Sequence, residues 1–366
     1  MSQYPTDASE RRFAYTALLE HVTGIFMHAG MSVPDANLLA TSLAQADLHG
    51  IHSHGVMRVL DYVGRMSCAA DVDDLPGVRG GVDPRGQPRI DRDAGAMVSI
   101  DGGNSMGQLG MSLATRTAIE RARDTGISFV TVGNSNHCGA LFWYVQQIVE
   151  ADMIGIASTN ALPTMAPAGG ADRIVGMNPL GIGIPTANES PFLMDSAFAA
   201  CARGKIQVYA QKGMALPEGW AFDAHGAPTT DPHAALDGLI APVGTYKGIN
   251  VAMALGVMSS LMSGAGYGTR LGDLPTGPLA GKDGHFVIAL DIGKLTDVDA
   301  FKAEMDAIIA EIHNAPRAAG VDRLYCAGEM ELETACAYGR DGIPLNDETF
   351  ASLCAAASRV GAPSLQ

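Results

Sequence analysis

Between residues 96 and 158, short apolar runs of strand length alternate with stretches of helical periodicity, and this constrains the fold more than anything else in the chain. Residues 96–100, 127–132 and 154–158 read as strands, and 111–124 and 141–151 as helices between them. Strands alternating with helices of ten to fifteen residues predict an α/β protein; the chain as a whole is expected to form a mixed sheet flanked by helices, with a smaller helical part from the chain ends. The 366 residues predict two domains, or one large domain with an appendage. Residues 10–28 read as an amphipathic helix stopped by Gly30, and Val33-Pro34-Asp35 opens a second that runs to about Leu48. A polar turn, His49 to Gly55, separates it from a third helix starting near Val56. Residues 67–95, with clustered Asp, Gly, Pro and Arg, read as an irregular excursion. Residues 163–191 are too broken by Gly and Pro for helix, too apolar for a solvated linker, and suit a segment wrapping a ligand; 213–248 is likewise turn-rich. Residues 285–291 read as a buried strand and 296–313 as an amphipathic helix.

Composition excludes several classes. With 47% hydrophobic residues the chain can bury a large core, and 44 glycines predict many tight turns. The net charge of −15, with no basic run, argues against nucleic acid as a partner. Cys68, Cys138, Cys201, Cys326, Cys336 and Cys354 form no CxxC pair, which suits buried thiols in a reducing compartment. Residues 1–12 are polar, without an apolar signal region, so the cytoplasm is the expected location. No charge falls between Lys247 and Arg270, but Asn250, Ser259, Ser260, Ser263 and several glycines make this a buried helix ending near Gly264 rather than a membrane span.

No GxGxxG or GxxxxGK[ST] is present; Gly264-Ala265-Gly266-Tyr267-Gly268 comes nearest but follows a helix. His49, His52 and His54 crowd one turn and could ligate a metal, though no fourth ligand stands at a standard spacing. Ser53-His54 lacks the elbow of a serine hydrolase, whereas a histidine on a tight turn suits a general acid. Asn134-Ser135-Asn136-His137-Cys138-Gly139 lies between a strand and a helix, where either a capped helix start or an anion-contacting His137 fits. Asp195 ends an apolar run, so it is expected half-buried with a partner, either a histidine it orients or an ordinary strand-end contact.

Taken together, these segments resemble the malate/L-lactate dehydrogenase family that lacks the Rossmann fold. The resemblance runs from about Phe13 to Ser358. It rests on Ala46-Asp47-Leu48-His49-Gly50-Ile51-His52-Ser53-His54-Gly55-Val56 with Arg58, on Asn134-Ser135-Asn136-His137, on Thr159-Asn160, and on Met165-Ala166-Pro167 with Gly169-Gly170. It continues through Gly176-Met177-Asn178-Pro179-Leu180, Asp195, Arg203-Gly204-Lys205-Ile206, Gly219-Trp220-Ala221 with Asp223, and Pro242-Val243-Gly244-Thr245-Tyr246-Lys247-Gly248. The resemblance implies an oxidoreductase using NAD or NADP on a small 2-oxo or 2-hydroxy carboxylate or a cyclic 2-imino carboxylate. It implies His54 as proton donor in imidazolium form, with Ser53 beside it, Asp195 completing the group, and His137 as a second acid or base. Arg58 and Asn160 are the implied substrate residues. Leu193, Met194, Asp195, Ser196, Ala197, Val243, Gly244, Lys247, Cys326, Ala327 and Gly328 are the implied cofactor contacts. No metal is implied. A homodimer is implied, with residues 126–284 as the nicotinamide-binding domain and 1–125 with 285–366 as a helical substrate and dimerisation part.

The chain departs from the family pattern at Cys138, Ser196, Phe198, Ala199, Asn250, Ala327-Gly328-Glu329, and His49 and His52. These changes motivate one alternative, a non-catalytic or regulatory cofactor-binding protein. The three turn histidines motivate another, a metal-dependent hydrolase.

Overall fold

A computed structural model describes residues 10–68, 81–211, 213–271 and 282–365. The chain opens with β1 (Arg11–Phe13), α1 (Tyr15–His28), α2 (Val33–Leu48), 3-10 turns at His52–His54 and Val56–Arg58, and α3 (Val59–Cys68). It continues with β2 (Arg89–Ala94), β3 (Met97–Asp101), α4 (Gly107–Thr125), β4 (Ile127–Ser135), α5 (Phe142–Val149) and β5 (Met153–Thr159). Shorter pieces follow: β6 (Pro163–Met165), β7 (Val175–Gly176), β8 (Leu180–Ile184), β9 (Phe192–Ser196), α6 (Arg203–Gln211), β10 (Ala221–Phe222), β11 (Pro228–Thr229), α7 (Pro232–Asp237) and β12 (Leu239–Ile240). The rest is α8 (Tyr246–Leu261), β13 (Asp283–Asp291), α9 (Val298–Asn314), α10 (Glu329–Asp341), β14 (Ile343–Leu345) and α11 (Asp347–Val360).

Seven strands form the main sheet in the order β2-β3-β4-β13-β5-β8-β9. β3 and β4 run parallel and every other neighbouring pair antiparallel, so the sheet is mixed, as the sequence predicts. It takes β2 and β3 from the first 125 residues, and β13 spans the position 284/285. Met111, Ala118, Val145 and Ile148 from α4 and α5 pack with Val130, Val132, Ala157, Val287 and Ala289 of the sheet. Strand side chains alternate faces, so α8 covers the opposite face, where a Cβ on Gly284 would lie 2.3 Å from the Ser259 carbonyl oxygen. No helix among the described residues is long and apolar enough to cross a membrane.

The two chain ends build a second core. Leu18, Val22, Ile25 and Phe26 of α1 meet Leu39 and Leu43 of α2, Tyr62 of α3, and Leu353, Ala356 and Ala357 of α11. Ser32 caps α2 through the Asp35 amide, with Pro34 in the first turn.

Two expectations need correction. Helix 10–28 is preceded by β1, because Arg11 to Phe13 pair with Leu345 to Ile343, more than 300 residues away. The irregular stretch 67–95 contains β2, whose six residues are all exposed and show no apolar alternation; residues 69–80 of it lie outside the described residues.

Candidate active site

The site starts at a buried carboxylate. Asp47, in the last turn of α2, accepts hydrogen bonds from the Val56 amide at 2.6 Å and from His52 Nδ1 at 2.7 Å. The turn therefore wraps around this side chain, and a Cβ on Gly55 would lie 2.2 Å from its carboxyl group. Wrapping presents Ser53, His54 and Arg58 together. Ser53 Oγ lies 2.9 Å from His54 Nδ1, and Arg58 Nε donates to the Ser53 carbonyl at 2.8 Å. A second Arg58 nitrogen lies 3.5 Å from Asp61.

The three turn histidines do not converge on a metal site. His49 Nδ1 bonds the Gln45 carbonyl at 2.8 Å and its ring packs on Phe142, His52 turns to Asp47, and His54 turns to Ser53. Among the described residues, only His313, Cys326 and Glu329 form a close group of three potential ligands. There the Glu329 carboxylate already bonds His313 Nε2 at 2.8 Å and the Cys326 amide at 2.9 Å, which fixes the loop.

His137 lies just beyond β4, which runs to Ser135 and so takes up part of the expected loop. Its ring stacks on His54, with centroids 5.6 Å apart and planes 15° apart. Burial, and then the Arg58 guanidinium, hold His54 down at about 4. Burial, then His54, Arg58 and His285, hold His137 well below the usual histidine range. Both rings are therefore neutral in the free protein at neutral pH, and the imidazolium expected at His54 is not its resting form. Desolvation opposes charge there, and Arg58 opposes it further.

Asp195, on edge strand β9, is half-buried. One of its oxygens accepts the Leu141 and Phe142 amides at 2.6 and 3.0 Å, where α5 begins. The histidine partner considered from the sequence is replaced by these helix-start N–H groups, which attract an anion. Burial nevertheless outweighs them and raises the carboxyl to about 6. Asn160 spends its amide within the protein: Nδ2 donates to Ser260 Oγ and the Gly266 carbonyl, and Oδ1 accepts from the Gly284 amide.

The segments expected to contact a cofactor meet at β9 and the residues just after it. The Leu193 amide donates to the Ala327 carbonyl at 2.9 Å, and the Val243 amide to the Phe198 carbonyl at 3.1 Å. Gly328 has φ +96°, and a Cβ there would lie 2.9 Å from Leu193 Cβ. At the start of α8, Gly244 and Thr245 both take left-handed backbone, no side chain caps the helix, and Lys247 stands exposed in its first turn.

Sequence reasoning missed two buried rings and one half-buried carboxylate. His285 Nδ1 bonds Thr159 Oγ1 at 2.7 Å and Nε2 bonds Ser135 Oγ at 2.9 Å, with burial holding the ring at about 4. Burial raises Asp283 to about 7 against the pull of Arg65. Tyr62 lies 2.6 Å from His137 Nδ1. Strand and helix periodicity mark such positions as inward-facing but say nothing about which polar groups converge there.

This fold belongs to a known class. The sequence model of the malate/L-lactate dehydrogenase family matches residues 13–354, and the chain belongs to that family. The malate dehydrogenase of Pyrococcus abyssi is 32% identical over 98% of both chains. The Delta(1)-pyrroline-2-carboxylate/Delta(1)-piperideine-2-carboxylate reductase of Pseudomonas putida is 30% identical over 72% of this chain and 74% of its own. The solved structure of sulfolactate dehydrogenase from Methanocaldococcus jannaschii superposes with a TM-score of 0.88 at 30% identity, covering 97% of this chain and 98% of the other. The chain is an oxidoreductase of this family.

Proposed function

We propose that the protein moves a hydride between NAD or NADP and C2 of a small 2-oxo or 2-hydroxy carboxylate, or of a cyclic 2-imino carboxylate, with His54 handling the proton. The observation that carries this reading is the Ser53–His54 pair, at 2.9 Å, packed against His137 and beside Arg58. The bound nicotinamide supplies or takes the hydride, a step side chains cannot perform.

The start of α8 fits such a cofactor: an uncapped helix N-terminus beside Gly244, with Lys247 in its first turn, suits a phosphate. Val243, Gly244 and Lys247 would hold that end. Leu193, Met194, Asp195, Ser196 and Ala197, with Cys326, Ala327 and Gly328, would line the rest.

Arg58 would take the substrate carboxylate with its guanidinium fork, and Asn160 would shape the pocket wall from behind. In the oxidative direction neutral His54 accepts the C2 hydroxyl proton. In reduction it returns a proton to the oxygen or nitrogen, and the anionic substrate offsets the forces that hold the ring neutral. The Ser53 hydroxyl can rotate to donate to or accept from Nδ1, so it serves both forms. Asp195 fixes the start of α5, and thereby the loop that carries His137. Residues 126–284 would form the nicotinamide part, and 1–125 with 285–366 the helical part that binds substrate and a second copy of the chain in the cytoplasm.

The test is His54→Ala. Turnover should fall by roughly 10²–10⁴ if the ring carries the proton. Unchanged turnover would remove His54 from the chemistry.

A further inference from the structure

His137 Nδ1 has two neighbours. The Tyr62 hydroxyl lies 2.6 Å away, and the Gly139 backbone nitrogen lies 3.3 Å away with its hydrogen directed at Nδ1. A backbone N–H can only donate, so this contact favours a lone pair at Nδ1. A proton on Nδ1 would meet the Gly139 hydrogen head-on.

The hydroxyl can be assigned in turn. Gln108 is fully buried, and its Nε2 donates to the Tyr62 oxygen at 3.3 Å. That leaves the Tyr62 proton to point at His137. The opposite amide orientation would draw this proton toward Gln108 and leave Nδ1 with Gly139 alone. The orientation present leaves Gln108 Oε1 without a protein partner. Gly139 has φ +75°, and a Cβ there would lie 3.1 Å from Gln108 Nε2, so glycine lets the backbone and the amide approach together.

We propose that Gly139 and Tyr62 lock His137 as the neutral tautomer with its proton on Nε2, and that Tyr62 and Gln108 are positioning residues acting through it. His137 then offers the reacting oxygen or nitrogen a fixed N–H donor and leaves proton exchange to His54. Nε2 makes no hydrogen bond among the described residues. The groups that bear on the ring are His54 and Arg58 from the turn, Tyr62 from α3, and His285 from β13. None is an anion that would draw a second proton onto it. This assigns the second histidine to electrostatic stabilisation of developing charge, where a preorganised donor acts without titrating.

The role rests on the dehydrogenase reading above; the tautomer does not. The test is therefore read first on the free protein, by long-range proton–nitrogen NMR of ¹⁵N-histidine-labelled chain, with the His137 signals assigned by their loss in His137→Asn. The expected pattern is protonated Nε2 and bare Nδ1, unchanged between about pH 5 and 8, where an ordinary histidine titrates. A proton on Nδ1, or titration within that range, would overturn the proposal whatever the protein's activity. Tyr62→Phe should yield mixed tautomers and lower kcat by about tenfold with KM little changed, the effect of one misdirected neutral hydrogen bond. A Tyr62→Phe protein that keeps both the wild-type pattern and the wild-type kcat would also overturn it. The spectrum of the unmodified protein decides the matter even if the variant folds poorly.

Discussion

Replacing Asp195 by Asn should stabilise the protein. One Asp195 oxygen accepts both the Leu141 and Phe142 amides, and the single carbonyl oxygen of Asn can accept the same two hydrogens. What Asn removes is the charge. Asp195 titrates at about 6 in the fold against an ordinary 3.8, because burial opposes its ionisation. Each pH unit of that interval corresponds to about 1.4 kcal/mol, so ionising Asp195 in the folded protein costs about 3 kcal/mol at neutral pH. The sign follows from the raised value. The favourable contribution of the protonated group is complete below about pH 3.8 and is lost as pH rises through about 6. The attraction of the ionised carboxylate to the α5 amides is already contained in that raised value. Asp195→Asn should therefore be more stable than wild type by about 2–3 kcal/mol at pH 7, with the gap closing near pH 4. Urea unfolding of both proteins at the two pH values measures it through the midpoints. A variant less stable at pH 7, or a gap independent of pH, would refute the claim that burial outweighs the helix-start bonds.

Other outcomes follow from the same geometry. His54 is held at about 4, so kcat/KM for reduction should fall tenfold per unit across about pH 5–8; a plateau up to an ordinary histidine value would contradict this. Gly107→Ala would set a Cβ 2.0 Å from the Asn136 carbonyl oxygen; it should cost about 1–3 kcal/mol by overpacking and lower kcat by displacing His137, readable by urea unfolding and steady-state kinetics. Lys247→Ala should weaken nicotinamide nucleotide binding about five- to tenfold at low salt and less at high salt, as expected when one phosphate contact is lost; fluorescence titration at two ionic strengths checks this.

The elements that stood out in the sequence are those whose signal lies in their own residues. α2 shows Ser32, Pro34 and Asp35 at its start, and β4 and β5 are apolar runs. Glycine misled in β8. Leu180–Ile184 alternates glycine with apolar residues, which reads as broken chain, yet α5 presses against it there. A Cβ on Gly181 would lie 2.9 Å from Leu141 Cβ, and one on Gly183 2.7 Å from a Val149 methyl. Those glycines mark close helix–sheet packing and not turns. β1 could not be read, because its strand partner, β14, lies near the far end of the chain. At the site, the motif turn was visible; that it closes around the buried Asp47 carboxylate was not. Nor was the direction each side chain takes. That Asp195 would bond to α5 and not to a histidine, or that Tyr62 would reach His137, depends on strands and helices distant in sequence.

The most direct test of the central claim follows the absorbance of NADH and NADPH with purified protein and a panel of small acids: pyruvate, oxaloacetate, sulfopyruvate, branched and sugar-derived 2-oxo acids, and the cyclic imines pyrroline-2-carboxylate and piperideine-2-carboxylate. The account expects cofactor oxidation with at least one of them, abolished by His54→Ala. No oxidation with either cofactor, in protein shown to bind the cofactor, would contradict it and favour a binding protein on this fold.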